Sequence, residues 1–261
     1  MDISLSIAAS AHQVAVGSTV NLKLVLLAPL TVGALLWYND DMRDLENAII
    51  LVDKPAGISS FGVVARVRGF LRAKYGHKIK VGHTGTLDPF ATGLLILLTG
   101  KMTKKSDEFL KKDKVYEATM KLGYTSTTGD PEGEVIEKSN YIPTKDEIIN
   151  IVTKFTGNIQ QKVPQFSAVK INGERAYKLA RAGKDFETPT REVTIYNIEI
   201  LEYNYPELKI RTHVSSGTYI RTLAEDIGAA LGTDAYLTEL RRIKIANYSV
   251  QDAQPLTDFT S

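Results

Sequence analysis

The sequence predicts an α+β fold: a mixed or largely antiparallel central sheet with flanking helices. Three observations carry this. Strand-like and helix-like segments come in mixed order, without regular βαβ alternation. Two long segments, residues 194–203 and 207–215, lie close together and read as paired strands. N-cap residues, notably Ser59 or Ser60 and Thr144, precede runs whose apolar residues recur at helical spacing.

The elements follow in order. Residues 48–52, A-I-I-L-V, are a short buried-strand run, and D-K-P-A-G at 53–57 ends it in a turn. After Ser59 or Ser60 a helix places Val63, Val64, Val67, Phe70 and Leu71 on its apolar side and Arg66, Arg68, Arg72 and Lys74 on its polar side. Residues 78–81 lead into a glycine-rich stretch, and 94–98 form a second buried strand. Residues 115–120 alternate as a half-buried strand, and 125–133 are a polar turn. Thr144 with Glu147 makes a capping box for a helix ending near Gly157. Residues 164–170 are extended and reach Asn172-Gly173, a hairpin signal; 175–181 read as a short helix ending at Gly183. Ser216-Gly217 opens a helix through Leu231, with Ile220, Leu223, Ala224 and Ile227 on one face. A further helix is expected over 234–241 and a last strand over about 243–250. There is no internal repeat and no low-complexity segment.

The 261 residues suffice for one large domain or two small ones, and 43% hydrophobic with 24% charged is ordinary for a soluble globular chain. The absence of Cys excludes disulfides, thiolate nucleophiles and Cys-based metal sites. His12, His77, His83 and His213 are scattered, without an H-x-x-x-H pair, which disfavours zinc. Residues 1–47 carry Lys23 and Arg43 against Asp2, Asp40, Asp41, Asp44 and Glu46, a net −3, which leaves +5 on the remainder. Six lysines between 101 and 114 face Asp107, Glu108 and Asp113; such a run is either a phosphate-facing patch or a solvated face.

Residues 1–47 differ from the rest. Positions 24–38 hold no charge but contain Pro29 and Gly33, and fall short of the roughly 20 residues that span a bilayer. A signal peptide would want a basic start, and this one carries Asp2. Three readings compete: a membrane-associated segment, an extra packed element, or translation from upstream of the true start. The last is favoured, with Met42 as a plausible start and residues 48–261 as the catalytic domain.

The stretch at 81–93, V-G-H-T-G-T-L-D-P-F-A-T-G, concentrates the chemistry. Gly85 and Gly93 free the backbone around Asp88, while Pro89 biases Asp88 to an extended conformation. A lone carboxylate presented this way is a candidate nucleophile or base, or else an Asx-type turn former. The P-loop and dinucleotide patterns are both absent. In S-S-G-T-Y-I-R, Arg221 falls in the first turns of a helix, where it reaches a buried carboxylate or remains a surface Arg. Tyr116 is either a phenol that stacks on a base or a core Tyr.

The stretch G-H-T-G-T-L-D-P-F-A-T-G closely resembles the G-H-x-G-x-L-D-P-x-A-T-G signature of the TruB family of tRNA pseudouridine-55 synthases. The resemblance extends through D-K-P-A-G-I-S-S at 53–60, K-V-Y-E-A at 114–118, T-G-D-P-E-G-E-V at 128–135 and Q-K-V-P-Q-F-S-A-V-K at 161–170. It ends with S-S-G-T-Y-I-R-T-L-A-E-D-I-G at 215–228 and L-T-E-L-R-R at 237–242, covering about residues 48–258. It implies a pseudouridine synthase fold and isomerisation of a T-loop uridine in tRNA, with base flipping, no cofactor and no metal. It casts Asp88 as nucleophile, Tyr116 as the ring that stacks on uracil near C5, and Arg221 as the partner of the aspartate. Lys54 and Pro55 match first-motif residues of the active-site wall, and His83 a residue that holds the opened T-loop. These three join Arg191, Arg241 and Arg242 as the RNA-binding set, with the lysine run as further backbone contacts. The expected partner is the tRNA T-arm stem-loop, and the expected state a cytoplasmic monomer, with no membrane expected for the catalytic domain.

There are departures from the family pattern. The C-terminal RNA-binding domain often found in the family has no evident counterpart before Ser261. Thr188 stands where an Arg is common, and Val163 replaces one proline of a P-P pair. The competing readings are a synthase for another RNA, an RNA chaperone without chemistry, and a nucleoside hydrolase. The hydrolase would want a second carboxylate near Asp88, and the motif itself offers none.

Overall fold

The computed structural model describes residues 44–259. The reading of residues 1–43 as an extension therefore lies outside the described residues. Residues 44–47 pack on the body: the Leu45 N–H donates to the Tyr75 hydroxyl at 3.0 Å, and the Asn47 Oδ1 accepts from the Lys101 N–H at 2.8 Å.

The chain opens with β1 (Ile49–Lys54) and α1 (Ser60–Tyr75). Ser59 is the N-cap of α1; Ser60 is its first residue. Next come β2 (Val81–His83), β3 (Thr92–Thr99), the short α2 (Ser106–Leu110) and β4 (Lys114–Leu122). A small hairpin, β5 (Tyr124–Ser126) with β6 (Val135–Glu137), precedes α3 (Lys145–Lys154), where both bonds of the Thr144–Glu147 capping box form. β7 (Gly157–Lys162) follows. The Asn172-Gly173 turn joins β8 (Lys170–Ile171) to β9 (Glu174–Arg175), with φ of 49° and 89° as a type I′ turn requires, and α4 (Ala176–Arg181) follows. The long hairpin of β10 (Thr190–Asn204) and β11 (Glu207–Val214) leads to α5 (Ile220–Ala230). β12 (Ala235–Ile245), β13 (Tyr248–Ser249) and β14 (Gln254–Pro255) complete the chain.

Ten strands form one mixed sheet, with a main path β14-β1-β3-β12-β4-β11-β10-β7. Most pairs are antiparallel; β1–β14 and β3–β12 are parallel. β3 is buried along nearly its whole length, as an uncharged L-L-I-L-L run in a covered central strand should be. One cluster packs α5 and α3 on the β4–β11–β12 part of the sheet; another packs α1 on β1 and β3.

One expectation is overturned. Residues 234–241 are not a helix but most of β12, paired to β4 along its length and to β3 at Arg241 and Arg242. Bulges between Leu237 and Glu239 and between Arg242 and Lys244 break the alternation, so Tyr236, Leu237 and Leu240 are all buried. Such spacing imitates a helical face. The last strand is correspondingly split at Ala246, which has φ 48°. α5 also begins later than expected, at Ile220.

The register has a consequence for the site. Lys54 on β1 pairs with Gly93 on β3, Gly93 with Arg242 on β12, Arg242 with Tyr116 on β4, and Tyr116 with Thr212 on β11. Residues scattered over the sequence thus form one lateral row, with neighbours about 4.8 Å apart. Gly93 permits this crossing: it has φ 102°, and a Cβ there would lie 2.3 Å from the Arg242 carbonyl oxygen. Gly93→Ala is expected to destabilise the fold by about 2–4 kcal/mol, read as a lowered urea midpoint.

Candidate active site

Asp88 lies in the loop between β2 and β3, and that loop is clamped at several points. The Ser60 hydroxyl donates to the Leu87 carbonyl at 2.9 Å and accepts from the Leu87 N–H at 2.8 Å. The Ala91 N–H donates to the Asp88 carbonyl, and the Gly57 N–H to the Pro89 carbonyl. Lys54 is fully buried; its Nζ donates to the carbonyls of Pro55 at 2.8 Å and Pro89 at 3.1 Å. The D-K-P turn and the D-P turn are thereby tied together on one side of Asp88. Burial pushes the Lys54 pKa down to about 8, against the pull of the Asp88 carboxylate.

Arg221 stands on the first turn of α5. Its Nε donates to Asp88 Oδ2 at 3.0 Å. Its other nitrogens hold the Thr128 carbonyl at 2.8 Å, the Phe166 carbonyl at 2.8 Å and Asp130 Oδ2 at 3.4 Å. The Arg221 side chain is 5% exposed, whereas Asp88 keeps 33% of its side chain open. Of this pair, then, the carboxylate is presented and the guanidinium is hidden. Burial in the cleft raises the Asp88 pKa; Arg221 opposes that, and Asp130 reinforces it.

The N-terminus of α5 has no side-chain cap of its own. Gln161, buried on β7, supplies one: its Oε1 accepts from the Tyr219 N–H at 2.7 Å and its Nε2 donates to the Tyr219 carbonyl at 3.0 Å. Asp130 is held in turn by the Thr128 hydroxyl at 2.6 Å and the Glu132 N–H at 3.1 Å. The sequence alone assigned no role to Gln161 or Asp130, and to Ser60 only that of a candidate helix cap. The T-G-D-P-E-G turn was the available signal for Asp130; nothing local marks Gln161.

The structure brings Asp88, Arg221 and Lys54 together. Tyr116, 7% exposed, packs in the core cluster that includes Leu87 and Ala91, on either side of Asp88, and Ile220 beside Arg221. It is thus a core Tyr, in the cluster that also holds the neighbours of Asp88 and Arg221. His83 sits at the start of the loop, where its Nδ1 accepts from the Gly85 N–H at 3.4 Å; burial and then Arg242 lower its pKa. Arg191 lies over the Tyr219 ring, 5.5 Å from its centroid, beside Gly217 at the approach to α5. Arg241 is 40% exposed and forms a forked pair with Asp53 at 2.7 and 3.1 Å.

Three expected RNA contacts are corrected by burial. Lys54 is 0% and Arg242 1% exposed. Arg242 donates to the Leu94 carbonyl at 2.8 Å and the Gly85 carbonyl at 3.1 Å, so it braces the loop from behind. Lys114, in the lysine run, is buried too and donates to the Leu110 and Lys112 carbonyls; burial takes its pKa down to about 8. The second carboxylate that the motif lacked is supplied by the fold, as Asp130. Its side chain is 5% exposed and already engaged, so it serves Arg221 and is closed to a water or leaving group.

Glu225, one turn beyond Arg221 on α5, packs against the backbone of the acidic turn: a Cβ on Gly129 would lie 2.5 Å from its Oε1. Burial raises its pKa to about 7, opposed by Arg221 and reinforced by Asp226 and Asp130. The folded-state pKa is above the unfolded one, so this group favours folding below about pH 4.5 and loses that contribution as pH rises through about 7. Glu225→Gln should remove the dependence and leave the protein more stable than wild type at pH 8, by on the order of 1–3 kcal/mol. Urea unfolding of both proteins at pH 5 and pH 8 measures it.

Comparison with known proteins gives the family. Residues 72–220 match the TruB family pseudouridylate synthase (N terminal domain), and residues 221–261 match the tRNA pseudouridylate synthase B C-terminal domain. The second match covers all but the first residue of α5, and β12–β14, three strands of the same sheet. The tRNA pseudouridine synthase B of Phocaeicola vulgatus is 44% identical over 221 residues, covering 84% of this chain and 94% of that protein. That of Cupriavidus metallidurans is 44% identical over 216 residues, covering 82% of this chain and 67% of the relative. Among solved structures, a chain in a Cbf5-Nop10-Gar1 complex superposes with a TM-score of 0.64 at 31% identity. A chain in an H/ACA RNP bound to a substrate RNA containing 2′-deoxyuridine superposes with a TM-score of 0.61 at 29% identity. Both matches cover 82% of this chain but only 54% and 52% of those longer chains. With family-model matches over residues 72–261 and 44% identity to a relative it nearly spans, the chain belongs to the TruB family of pseudouridylate synthases.

Proposed function

We propose that this protein isomerises uridine 55 in the T-loop of tRNA to pseudouridine, with Asp88 as nucleophile and the target base flipped out of its stack. The observation that carries the reading is the Arg221–Asp88 ion pair. A buried, four-way-anchored guanidinium aims an open carboxylate, while Tyr116 closes the adjoining wall. The higher identity to enzymes named for tRNA, 44% against 31% for the solved ribonucleoprotein chain, favours tRNA over a guide-directed RNA.

The reaction balances without an added reagent. The C1′–N1 bond breaks, the uracil turns, and a C1′–C5 bond forms. C5 gives up its proton and N1 gains one. Attack of the carboxylate at C1′ or at C6 both require Asp88 ionised, and Arg221 favours that state. Tyr116 stacks on the uracil and lies next to C5. A uridine stacked in a folded loop does not offer C1′ or C6 to a carboxylate set in a cleft, on a loop clamped by Lys54 and Ser60, hence the flip. His83, Pro55, Arg191 and Arg241 remain as RNA-facing residues of the rim.

Incubating the protein with unmodified tRNA transcript and mapping pseudouridine tests the reading. Product at position 55 is expected, and its absence with intact tRNA binding would sink the proposal. Asp88→Asn is expected to lower turnover by more than about 10³-fold while changing tRNA affinity less than about tenfold, since one carboxylate makes no phosphate contact. The acid limb of the single-turnover rate should lie above the ordinary Asp value, because the Asp88 pKa is raised by burial.

A further inference from the structure

The polar side of α1 is used neither by the fold nor by the site. Its inner residues Val63, Val64, Val67 and Leu71 are buried against β1 and β3. Its outer line is Phe61, Ala65, Arg68 and Arg72, at i, i+4, i+7 and i+11. Phe61 is 65% exposed, an unusual place for a large aromatic ring, and the Arg68 guanidinium lies 5.8 Å from its centroid. Arg66, Arg72 and Lys74 are exposed as well.

Three independent features point to a polyanionic ligand. The first is charge. Between Asp53 and Asp107 the sequence carries one carboxylate, Asp88, and that one is paired with Arg221. The cations of α1 therefore have no acidic neighbour on their own element. The nearby Glu46 reaches only the far end, where it engages His77 at 3.1 Å. The second is shape. Ala65, Gly69 and Ala73 make the floor between the arginines flat. Gly69 has no steric need to be glycine, because a Cβ there would meet nothing within 4 Å. A mid-helix glycine costs about 1 kcal/mol against alanine, so its presence on an open face calls for close approach from outside. The third is position. α1 starts at Ser60, whose hydroxyl holds Leu87 next to Asp88, and its 16 residues run about 24 Å from there.

We infer that the outer face of α1 is a docking surface for an RNA sugar-phosphate backbone leading away from the flipped nucleotide, with Arg68 and Arg72 on phosphates, Phe61 against an exposed base or sugar, and Gly69 at closest approach. This inference rests on the proposed action on tRNA. The arginines supply charge-assisted contacts without base readout, so the face positions the RNA and contributes affinity that falls with salt.

Binding of an unmodified tRNA transcript, measured by filter retention across a salt series, tests it. Arg68→Ala/Arg72→Ala should raise Kd about tenfold and lower the slope of log Kd against log salt by about one to two, with an unchanged thermal midpoint. Arg68→Lys/Arg72→Lys should recover most of the affinity. Gly69→Ala should bind a few-fold more weakly than wild type with an unchanged fold, because a Cβ there meets nothing inside the protein, and Gly69→Glu, which projects an acid from an open face, should bind more weakly still. Wild-type Kd and salt slope in the double alanine variant would overturn the inference. Pseudouridine mapping in the same samples separates the two readings. Product with unaltered binding in every variant refutes the surface alone; weakened binding with no product from wild type refutes the isomerase and leaves the surface standing.

Discussion

Everything at this site depends on keeping one guanidinium out of water. Arg221 has lost its hydration, so each of its nitrogens must find an acceptor inside the protein. The acceptors come from three distant segments: Asp88 before β3, Thr128 and Asp130 in the acidic turn, and Phe166 after β7. Satisfying Arg221 therefore folds these segments onto the first turn of α5. Two carboxylates around one cation leave negative charge in excess, and Glu225 adds to it. That excess, with burial, is why protons are held more tightly on Asp88 and Glu225 than on free carboxylic acids. The pair is better described as a positioning device than as a source of stability, since buried ion pairs often gain little net free energy.

The sheet supplies the complementary constraint. A single row, Lys54–Gly93–Arg242–Tyr116–Thr212, crosses five strands below the loop. Buried cations on this row, Lys54 and Arg242, direct their donors to carbonyls of the loop rather than to solvent. Their role is to hold Pro89, Leu94 and Gly85 from behind. Exposed cations lie on the rim, on α1 and in the lysine run between β3 and β4. Burial thus divides residues of one charge type into those that brace the loop from within and those open to solvent.

Much was legible in the sequence because the relevant physics is local. A glycine-proline loop with one carboxylate, a capping box at Thr144 and an Asn-Gly turn each declare themselves within a few residues. The failures were of one kind. Residues 234–241 look helical because two bulges place buried side chains at uneven intervals, and only the pairing with β3 and β4 reveals a strand. Arg242 looks like an RNA contact because its neighbour Arg241 is half-open, yet alternation along β12 sends the two side chains to opposite faces. Gln161 was invisible, since its two bonds go to a backbone 58 positions away.

The sequence by itself determined which reactive groups the chain carries, among them Asp88 on its turn, the phenol of Tyr116 and the guanidinium of Arg221, and that it carries no thiol. Through its ordered motifs it also pointed to the family. Only the tertiary structure decided which cations face outward, that Asp130 shares Arg221 with Asp88, and that α1 starts beside the loop that carries Asp88. The reason is physical. Residue type and turn chemistry are local properties, whereas desolvation, register and shared hydrogen bonds arise only when strands far apart in sequence lie side by side.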